Sequence, residues 1–143
     1  MFGPVCAVAV AVLAAQNIQF YLGEYRTRMY FEDRNGELAM EAGLMARDLG
    51  EHADIYLVGA PRIFASFPTL RYLAPRNRVV DVTDADVSGL ELAVGQQAVF
   101  FAIPENHALL AELQRKYPGG SGGVTHRKNR PGQILFEYYL VTP

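Results

Sequence analysis

A run of arginines interleaved with aromatic residues lies near the middle of the chain. Its members are Arg62, Phe64, Phe67, Arg71, Tyr72, Arg76 and Arg78. The planar guanidinium group of arginine matches the geometry of a phosphate, and an aromatic face suits a sugar ring. The run also follows the predicted strand "DIYLVG", and open α/β sheets usually bind ligands beyond the carboxyl ends of their strands. The pattern therefore makes Arg62, Arg71, Tyr72 and Arg76 candidate binding residues for a phosphate or a membrane surface.

The same stretch, "PRIFASFPTLRYLAP", also has a structural interpretation. Its prolines forbid one long regular element, so it would form a stiff connector with short helical turns around Arg62–Ala65 and Thr69–Leu73. The aromatic residues would then roof the sheet, which is the interpretation we favour for them. The arginines would be solvated or would pair with the nearby Asp81, Asp84 and Asp86. The sequence leaves the role of the arginines open between these two interpretations.

Glu105 and Asn106 form a second candidate. They follow the predicted strand "QAVFFAI", which places them at the same edge of a parallel sheet as Arg62. An acidic residue in the first turn of a helix is stabilised by the partial positive charge there, so capping alone accounts for Glu105. Together with Asn106 it could also receive a sugar hydroxyl. Both residues are therefore included among the candidate binding residues.

No complete catalytic, cofactor or metal motif appears in the sequence. The segment "YPGGSGGV" lacks the Lys-Ser/Thr pair of a P-loop and follows a helix, so it predicts a helix stop and a flexible connector. The three histidines show no ligand spacing, and the single cysteine, Cys6, excludes an intrachain disulfide and a cysteine-based zinc site. Ser66 and Ser121 lack the context of a nucleophile elbow. We therefore predict no catalytic residue, no metal and no cofactor.

The bulk composition is that of one globular domain. The chain has 143 residues, of which 50% are hydrophobic and 20% charged, so it is long enough for a sizeable core and too apolar for a disordered segment. Its formal net charge of −2 lacks the basic surplus of nucleic-acid-binding proteins. We predict no nucleic-acid partner.

The N-terminal residues are unusually apolar. Val5–Ala15 reads "VCAVAVAVLAA" and would be roughly 16 Å long as a helix. A membrane span needs about 20 residues, so this run by itself is too short to cross a bilayer. The preceding "MFGP" supplies no basic region for a signal peptide. Three interpretations remain: a buried core helix, an interfacial segment, or the last half of a transmembrane helix.

Apolar periodicity predicts three further helices. The first two apolar stripes are Ile18, Leu22, Tyr25 and Met29, then Leu38, Ala42, Met45 and Leu49. Asn35 is the predicted N-cap of the second of these helices, and Gly50 its C′ residue. A third helix is expected after Pro104.

The apolar runs between the helices predict the strands. Beside "DIYLVG", these are Arg78–Val82 and Gln97–Ile103, followed by a hairpin of "VTHRK" and "QILFEYYLV". The predicted fold is α/β: a small sandwich with a mixed, mainly parallel sheet, a C-terminal β-hairpin and an N-terminal helical stem. Residues 1–16 would be the apolar stem, the end of a transmembrane helix, and residues 17–143 a single soluble α/β domain.

Four blocks of the sequence together carry a family resemblance. They are "YLVGAPRIFASFPTLRYLAP", "DVTD", "VFFAIPENHALLAELQRKYPGG" and "LFEYYLV", within the stretch from about Asn17 to Val141. Their order resembles the extracytoplasmic C-terminal domain of bacterial membrane glycosyltransferases, polytopic proteins similar to dolichyl-phosphate-mannose–protein mannosyltransferases. None of the blocks is a catalytic signature, so no catalytic residue is carried over.

The resemblance implies a parent protein that transfers a glycosyl group from a polyprenyl-phosphate sugar. This chain would be its non-catalytic domain, membrane-attached on the extracytoplasmic face, supporting the membrane core of its own parent chain. It would also help to position the acceptor or the phosphate of a polyprenyl-phosphate sugar or anionic lipid. Two alternatives stay open. One is a free-standing Rossmann-like nucleotide- or sugar-binding protein with its ligand at Gly59–Arg62 and Pro104–Asn106, and the other is a structural interaction module.

Overall fold

The computed structural model of the chain describes residues 3–25 and 33–142. These residues belong to two compact units, one ending at Asp33 and the other beginning at Arg34. The first unit contains α1 (Gly3–Gln19), which continues as a π-helical segment, Phe20–Tyr25. Residue 16 therefore lies inside a helix, and the unit that holds the sheet starts at Arg34.

The helix of the first unit is longer than its most apolar run. The stretch Pro4–Tyr25 has 22 residues, and none of them is buried. By length and composition it is long enough to cross a bilayer, whose hydrocarbon core takes about 20 residues. The run Val5–Ala15 is too short to span by itself, but the helix continues past it, as the apolar stripe from Ile18 to Tyr25 predicts. The buried-core interpretation was wrong, since the apolar side chains are exposed; Met29 of the predicted stripe lies outside the described residues.

The second unit alternates helices and strands. Its elements are α2 (Arg34–Leu49), β1 (Asp54–Val58), α3 (Pro68–Leu73), β2 (Val79–Asp81), β3 (Ala98–Ala102), a 3₁₀ turn (Pro104–Asn106), α4 (His107–Lys116), β4 (Ser121–His126) and β5 (Ile134–Val141). Proline begins both α3 and the 3₁₀ turn, where the missing N–H has no helical partner to lose. Of the two helical turns predicted in the connector, only the second forms a helix, α3.

Of the two predicted end residues of α2, only the one at the C-terminal end is confirmed. Gly50 adopts φ +93°, and its N–H donates to the Arg47 carbonyl at 3.1 Å, which confirms it as the residue that ends the helix. Asn35 is not the N-cap, because α2 already begins at Arg34. The Asn35 side chain instead reaches across to Arg62, a contact that local sequence rules do not contain.

The strands form one five-stranded mixed sheet in the order β2-β1-β3-β5-β4. β1 pairs in parallel with β2 and β3, whereas β3 with β5 and β5 with β4 are antiparallel. The α/β fold, the mixed sheet and the N-terminal helix are thus confirmed. The mainly parallel character is not, since two of the four pairings within the described chain are antiparallel.

Both faces of the sheet carry a buried core. Ile55 and Leu57 of β1 pack with α2 and α3 on one face, while Tyr56 and Val58 pack with α4 on the other. All five residues of β1 and of β3 are buried, as expected of central strands with both faces covered. These two strands therefore form a rigid base for the loops that follow their carboxyl ends.

The glycine-rich tract after α4 is only partly the flexible connector that its sequence predicts. Gly119, at φ +97°, turns the chain after the helix, but Ser121, Gly122 and Gly123 belong to the edge strand β4. A Cβ at Gly123 would lie 2.5 Å from the Tyr138 hydroxyl on β5. The glycines are therefore required by tyrosine rings that lie across the strand.

A buried ion pair joins the loop after β4 to α2. Arg127 Nε donates to Glu37 Oε2 at 3.0 Å, and the backbone N–H of Lys128 donates to Glu37 Oε1 at 2.8 Å. Both charged side chains are almost fully buried. Their pairing offsets the desolvation of each charge and holds the hairpin against the helix.

Candidate functional site

The six candidate residues predicted from the sequence lie at two opposite edges of the sheet. Arg62, Glu105 and Asn106 follow the carboxyl ends of β1 and β3. Tyr72 and Arg76 line a groove formed with residues that precede β1 and β2, at the amino edge. Arg71 lies beside Tyr72 on α3. The arginine run therefore does not form one site.

At the carboxyl edge, one carboxylate accepts hydrogen bonds from two arginines. Arg62 Nη1 and Arg34 Nη1 donate to Glu105 Oε1 at 2.7 and 3.2 Å. Asn35 holds Arg62 in place: its Oδ1 accepts from Arg62 Nη2 at 3.0 Å, and its Nδ2 donates to the Arg62 carbonyl at 3.1 Å. Two guanidinium groups and one carboxylate give this network a net charge of 2 − 1 = +1.

The pKa of Glu105 reflects this environment. Burial raises the pKa, but the hydrogen bond from its own backbone N–H, the hydrogen bond and charge of Arg62 and the charge of Arg34 together outweigh burial. The pKa of the carboxyl therefore lies below its ordinary value of 4.5, and Glu105 is ionised at neutral pH. Capping is thus only one part of the role of Glu105, and the ion pairs are the other.

Asn106 connects the ends of two parallel strands. Its Nδ2 donates to the Val58 carbonyl at 3.0 Å and to the Ala60 carbonyl at 2.9 Å. Both amide hydrogens are therefore engaged, and the orientation of the side chain is fixed. Of its polar groups, the Oδ1 atom is left to act as an acceptor.

A cleft of about 460 Å³ lies at the same edge. Its walls come from the segments that follow all three parallel strands: Ala60 and Pro61 after β1, Val82, Thr83, Asp84 and Ala85 after β2, and Asn106 and Leu109 after β3. Asp86 shapes the wall after β2, because its Oδ2 accepts from the Thr83 N–H at 2.9 Å and from the Thr83 hydroxyl at 2.6 Å. These hydrogen bonds lower the pKa of Asp86. Open parallel sheets usually bind ligands in this position.

The groove at the amino edge has a different character. It has a volume of about 390 Å³, and its polar lining includes Arg47, Glu51, Tyr72 and Arg76. Arg76 forms an ion pair with Glu51 at the surface. Tyr72 is 81% exposed, so it lies at the surface rather than in the core. The expectation that the aromatic residues roof the sheet therefore fails for Tyr72 and also for Phe64, which is 46% exposed.

The arginines pair with acidic groups other than those expected. Arg62 binds Glu105, Arg76 binds Glu51, and Arg78 Nη1 lies 3.4 Å from Asp54 Oδ2. None of the expected aspartates pairs with these arginines in the described part of the chain. Asp81 Oδ1, for example, accepts from the Ala65 N–H at 2.7 Å. The pairing prediction was wrong because Arg62 reaches Glu105 after β3, while Arg76 and Arg78 precede β2 and pair with acidic residues near the start of β1.

Arg34 and Asn35 are the site residues that the sequence did not reveal. They lie 71 and 27 residues from Glu105 and Arg62, their respective partners. No local pattern could have marked Arg34, and the capping rule assigned Asn35 another role. Within the described part of the chain, no group of three or more His, Cys, Asp and Glu side chains is arranged to hold a metal ion.

Comparison with known proteins adds no identification. No protein-family model, no curated protein and no solved structure matches the chain.

Proposed function

We propose that this chain is a non-catalytic domain of a polytopic membrane glycosyltransferase that uses a lipid-phosphate-linked sugar. The observation that carries the proposal is the exposed apolar helix Pro4–Tyr25, followed along the chain by a compact α/β unit from Arg34. The entry of an exposed apolar helix of this length into a bilayer is favourable, because it removes apolar surface from water. The domain is attached to the membrane by this helix and lies on the extracytoplasmic face.

The assignment to glycosyltransferases rests on the four resembling sequence blocks. Three of them correspond to the centre of the unit: β1 with its loop and α3, β3 with α4, and β5. The resemblance therefore covers residues that build the sheet and its carboxyl edge rather than scattered surface positions. The finer description of the unit as a small sandwich belongs to the same proposal, and the buried core on each face of the sheet supports it.

The arginines support a contact with phosphate. Arg71 and Arg76 are exposed near Tyr72 at the amino edge, and the Arg34–Arg62–Glu105 network has a net positive charge at the carboxyl edge. Guanidinium groups bind phosphate through paired hydrogen bonds. The partners are the membrane core of the parent chain and a polyprenyl-phosphate sugar or anionic lipid. The domain supports the core and positions the acceptor or the lipid phosphate.

The first test is the reading frame upstream of Met1 in the source gene. Several hydrophobic spans that lead into residues 4–25 are expected for a polytopic parent. Stop codons directly upstream of a start at Met1 would contradict the proposal.

The second test concerns the side of the membrane. Ser88, exposed in the loop after β2, is replaced in the complete gene by cysteine (Ser88→Cys), and intact cells are treated with a membrane-impermeant maleimide. Labelling above that of the unmodified protein is expected without permeabilisation, because the domain faces outward. Labelling only after permeabilisation would place the domain in the cytoplasm and sink this part of the proposal.

A further inference from the structure

The lining of the cleft at the carboxyl edge contains no arginine, unlike the other candidate surfaces described above. Its lining residues are Ala60, Pro61, Val82, Thr83, Asp84, Ala85, Asn106 and Leu109. None of these eight carries a positive charge, and Asp84 carries a negative one. A phosphate would meet a carboxylate here without a cation to neutralise it, so the cleft disfavours anions.

Two acceptor groups in the cleft have no partner among residues 3–25 and 33–142. Asn106 uses both amide hydrogens for the Val58 and Ala60 carbonyls, which leaves Oδ1 without a donor. The exposed Asp84 carboxylate has no hydrogen bond or ion pair in the same described part of the chain. Thr83 donates its hydroxyl hydrogen to Asp86 and so presents only an acceptor as well.

The remaining lining is apolar and firmly held. Val82 and Leu109 are buried at 2% and 8% exposure, and both belong to the core on the α4 face of the sheet. Pro61 and Ala60 complete the apolar wall. A ligand with one apolar face and several outward hydroxyl donors would satisfy both kinds of surface.

We propose that this cleft binds a neutral, hydroxyl-rich ligand of the saccharide class, with ring hydroxyls donating to Asp84 and Asn106 Oδ1 and a C–H face against Pro61 and Leu109. The site is separate from the phosphate contacts assigned to the arginines. It does not depend on the parent protein being a glycosyltransferase, so either proposal can fail alone.

The probes are two glycosides, methyl β-glucopyranoside and methyl α-mannopyranoside. Each is titrated separately into the full ¹⁵N-labelled chain in detergent micelles. Saturable shifts of the amide signals of Thr83, Asp84, Ala85 and Leu109 are expected, with a Kd on the order of 1–10 mM for at least one glycoside. Inorganic phosphate at the same concentration is expected to leave these signals unchanged. Shifts with phosphate but not with either glycoside, or no saturable shift with either glycoside, would overturn the proposal.

Two exposed substitutions locate the site without disturbing the core. Ala85→Trp fills the cleft and is expected to abolish binding, whereas Ala93→Trp, at an exposed position outside the lining, leaves it intact. Asp84→Ala removes one acceptor and is expected to weaken binding about fivefold. Glu112→Ala removes the same charge on the exposed side of α4 and serves as its control. Binding that survives Ala85→Trp unchanged would show that the cleft is not the site.

Discussion

At the scale of residues, the Arg62–Glu105 pair shows that a candidate binding residue can also have a structural role. Arg62 spans from the loop after β1 to the turn after β3, and Asn35 and Arg34 attach α2 to the same point. The carboxylate is 47% exposed, so solvent screens the pair and its contribution to stability is modest. A ligand phosphate at this edge would compete with Glu105 for guanidinium groups that are already oriented.

The first prediction concerns Glu105→Gln. The variant is expected to lose about 0.5 kcal/mol of unfolding free energy at pH 7, because the arginines keep only a neutral acceptor. The folded-state pKa of Glu105 lies below its ordinary value of 4.5, so its stabilisation is complete above that value and disappears as the pH falls through the lowered folded pKa. The difference between the two proteins should therefore shrink as the pH is lowered from 7 to well below 4.5.

Urea unfolding of both proteins at a series of pH values measures this difference. Glu112→Gln, at an exposed carboxylate on α4, is the control and should change little at any pH. A Glu105→Gln effect that grows toward acid would contradict the lowered pKa.

At the scale of elements, the glycine-rich tract has a tertiary role. Tyr139 of β5 donates its hydroxyl to the Tyr117 carbonyl at 2.6 Å and accepts from the Gly120 N–H at 2.8 Å. One tyrosine side chain therefore joins the end of α4 to the start of β4. The ring lies so close to Gly120 that a side chain there has no room: a Cβ would lie 2.5 Å from both Tyr139 Cζ and the Leu140 carbonyl oxygen.

The second prediction is that Gly120→Ala lowers the unfolding free energy by about 1–3 kcal/mol, because the chain or the Tyr139 ring must move to admit the methyl group. Gly89→Ala is the matched control, since a Cβ there meets nothing within 4 Å. Thermal unfolding of the two variants compares them directly. Equal midpoints would show that the tract is the flexible connector that its composition indicates.

At the scale of the whole molecule, positive charge occurs at both edges of the sheet, whereas the saccharide cleft contains none. The amino-edge groove exposes Tyr72 and Arg76, with Arg71 beside them. An exposed aromatic side chain with arginines around it suits an anionic membrane surface, where each arginine contributes about 1 kcal/mol.

The third prediction is that Arg71→Ala combined with Arg76→Ala weakens the preference of the full chain for anionic over zwitterionic vesicles by about 30-fold, since about 2 kcal/mol is lost. The ratio of the two partition coefficients is the useful quantity, because insertion of α1 contributes to both. The melting temperature should stay the same, since the Arg76–Glu51 pair is exposed. Arg115→Ala combined with Arg130→Ala removes the same charge elsewhere and should preserve the ratio. An unchanged ratio in the first double variant would exclude the arginines as the lipid contact.

Local sequence patterns were sufficient for most of the elements. The uninterrupted apolar runs of β1 and β3 indicate strands covered on both faces, and Gly50 marks the end of α2 because left-handed backbone favours glycine. They failed at Asn35 and in the glycine tract, where the partner of each residue lies on another element. At the N-terminus, the apolar stripe of Ile18, Leu22 and Tyr25 indicated the helix after Ala15, and the structure joins it to α1 in one continuous helical segment.

The sequence by itself therefore determined the secondary structure and which residues of the carboxyl edge lie together, because both depend on spacing along a few turns or strands. The folded chain decided the partners of the arginines, the separation of the arginine run into two edges and the cleft between the ends of three strands. Arg62 and Glu105 are 43 residues apart, and Arg34 and Glu105 are 71 apart. Ion pairs and clefts depend on which elements pack side by side, and the spacing of residues within one element carries no information about its neighbours.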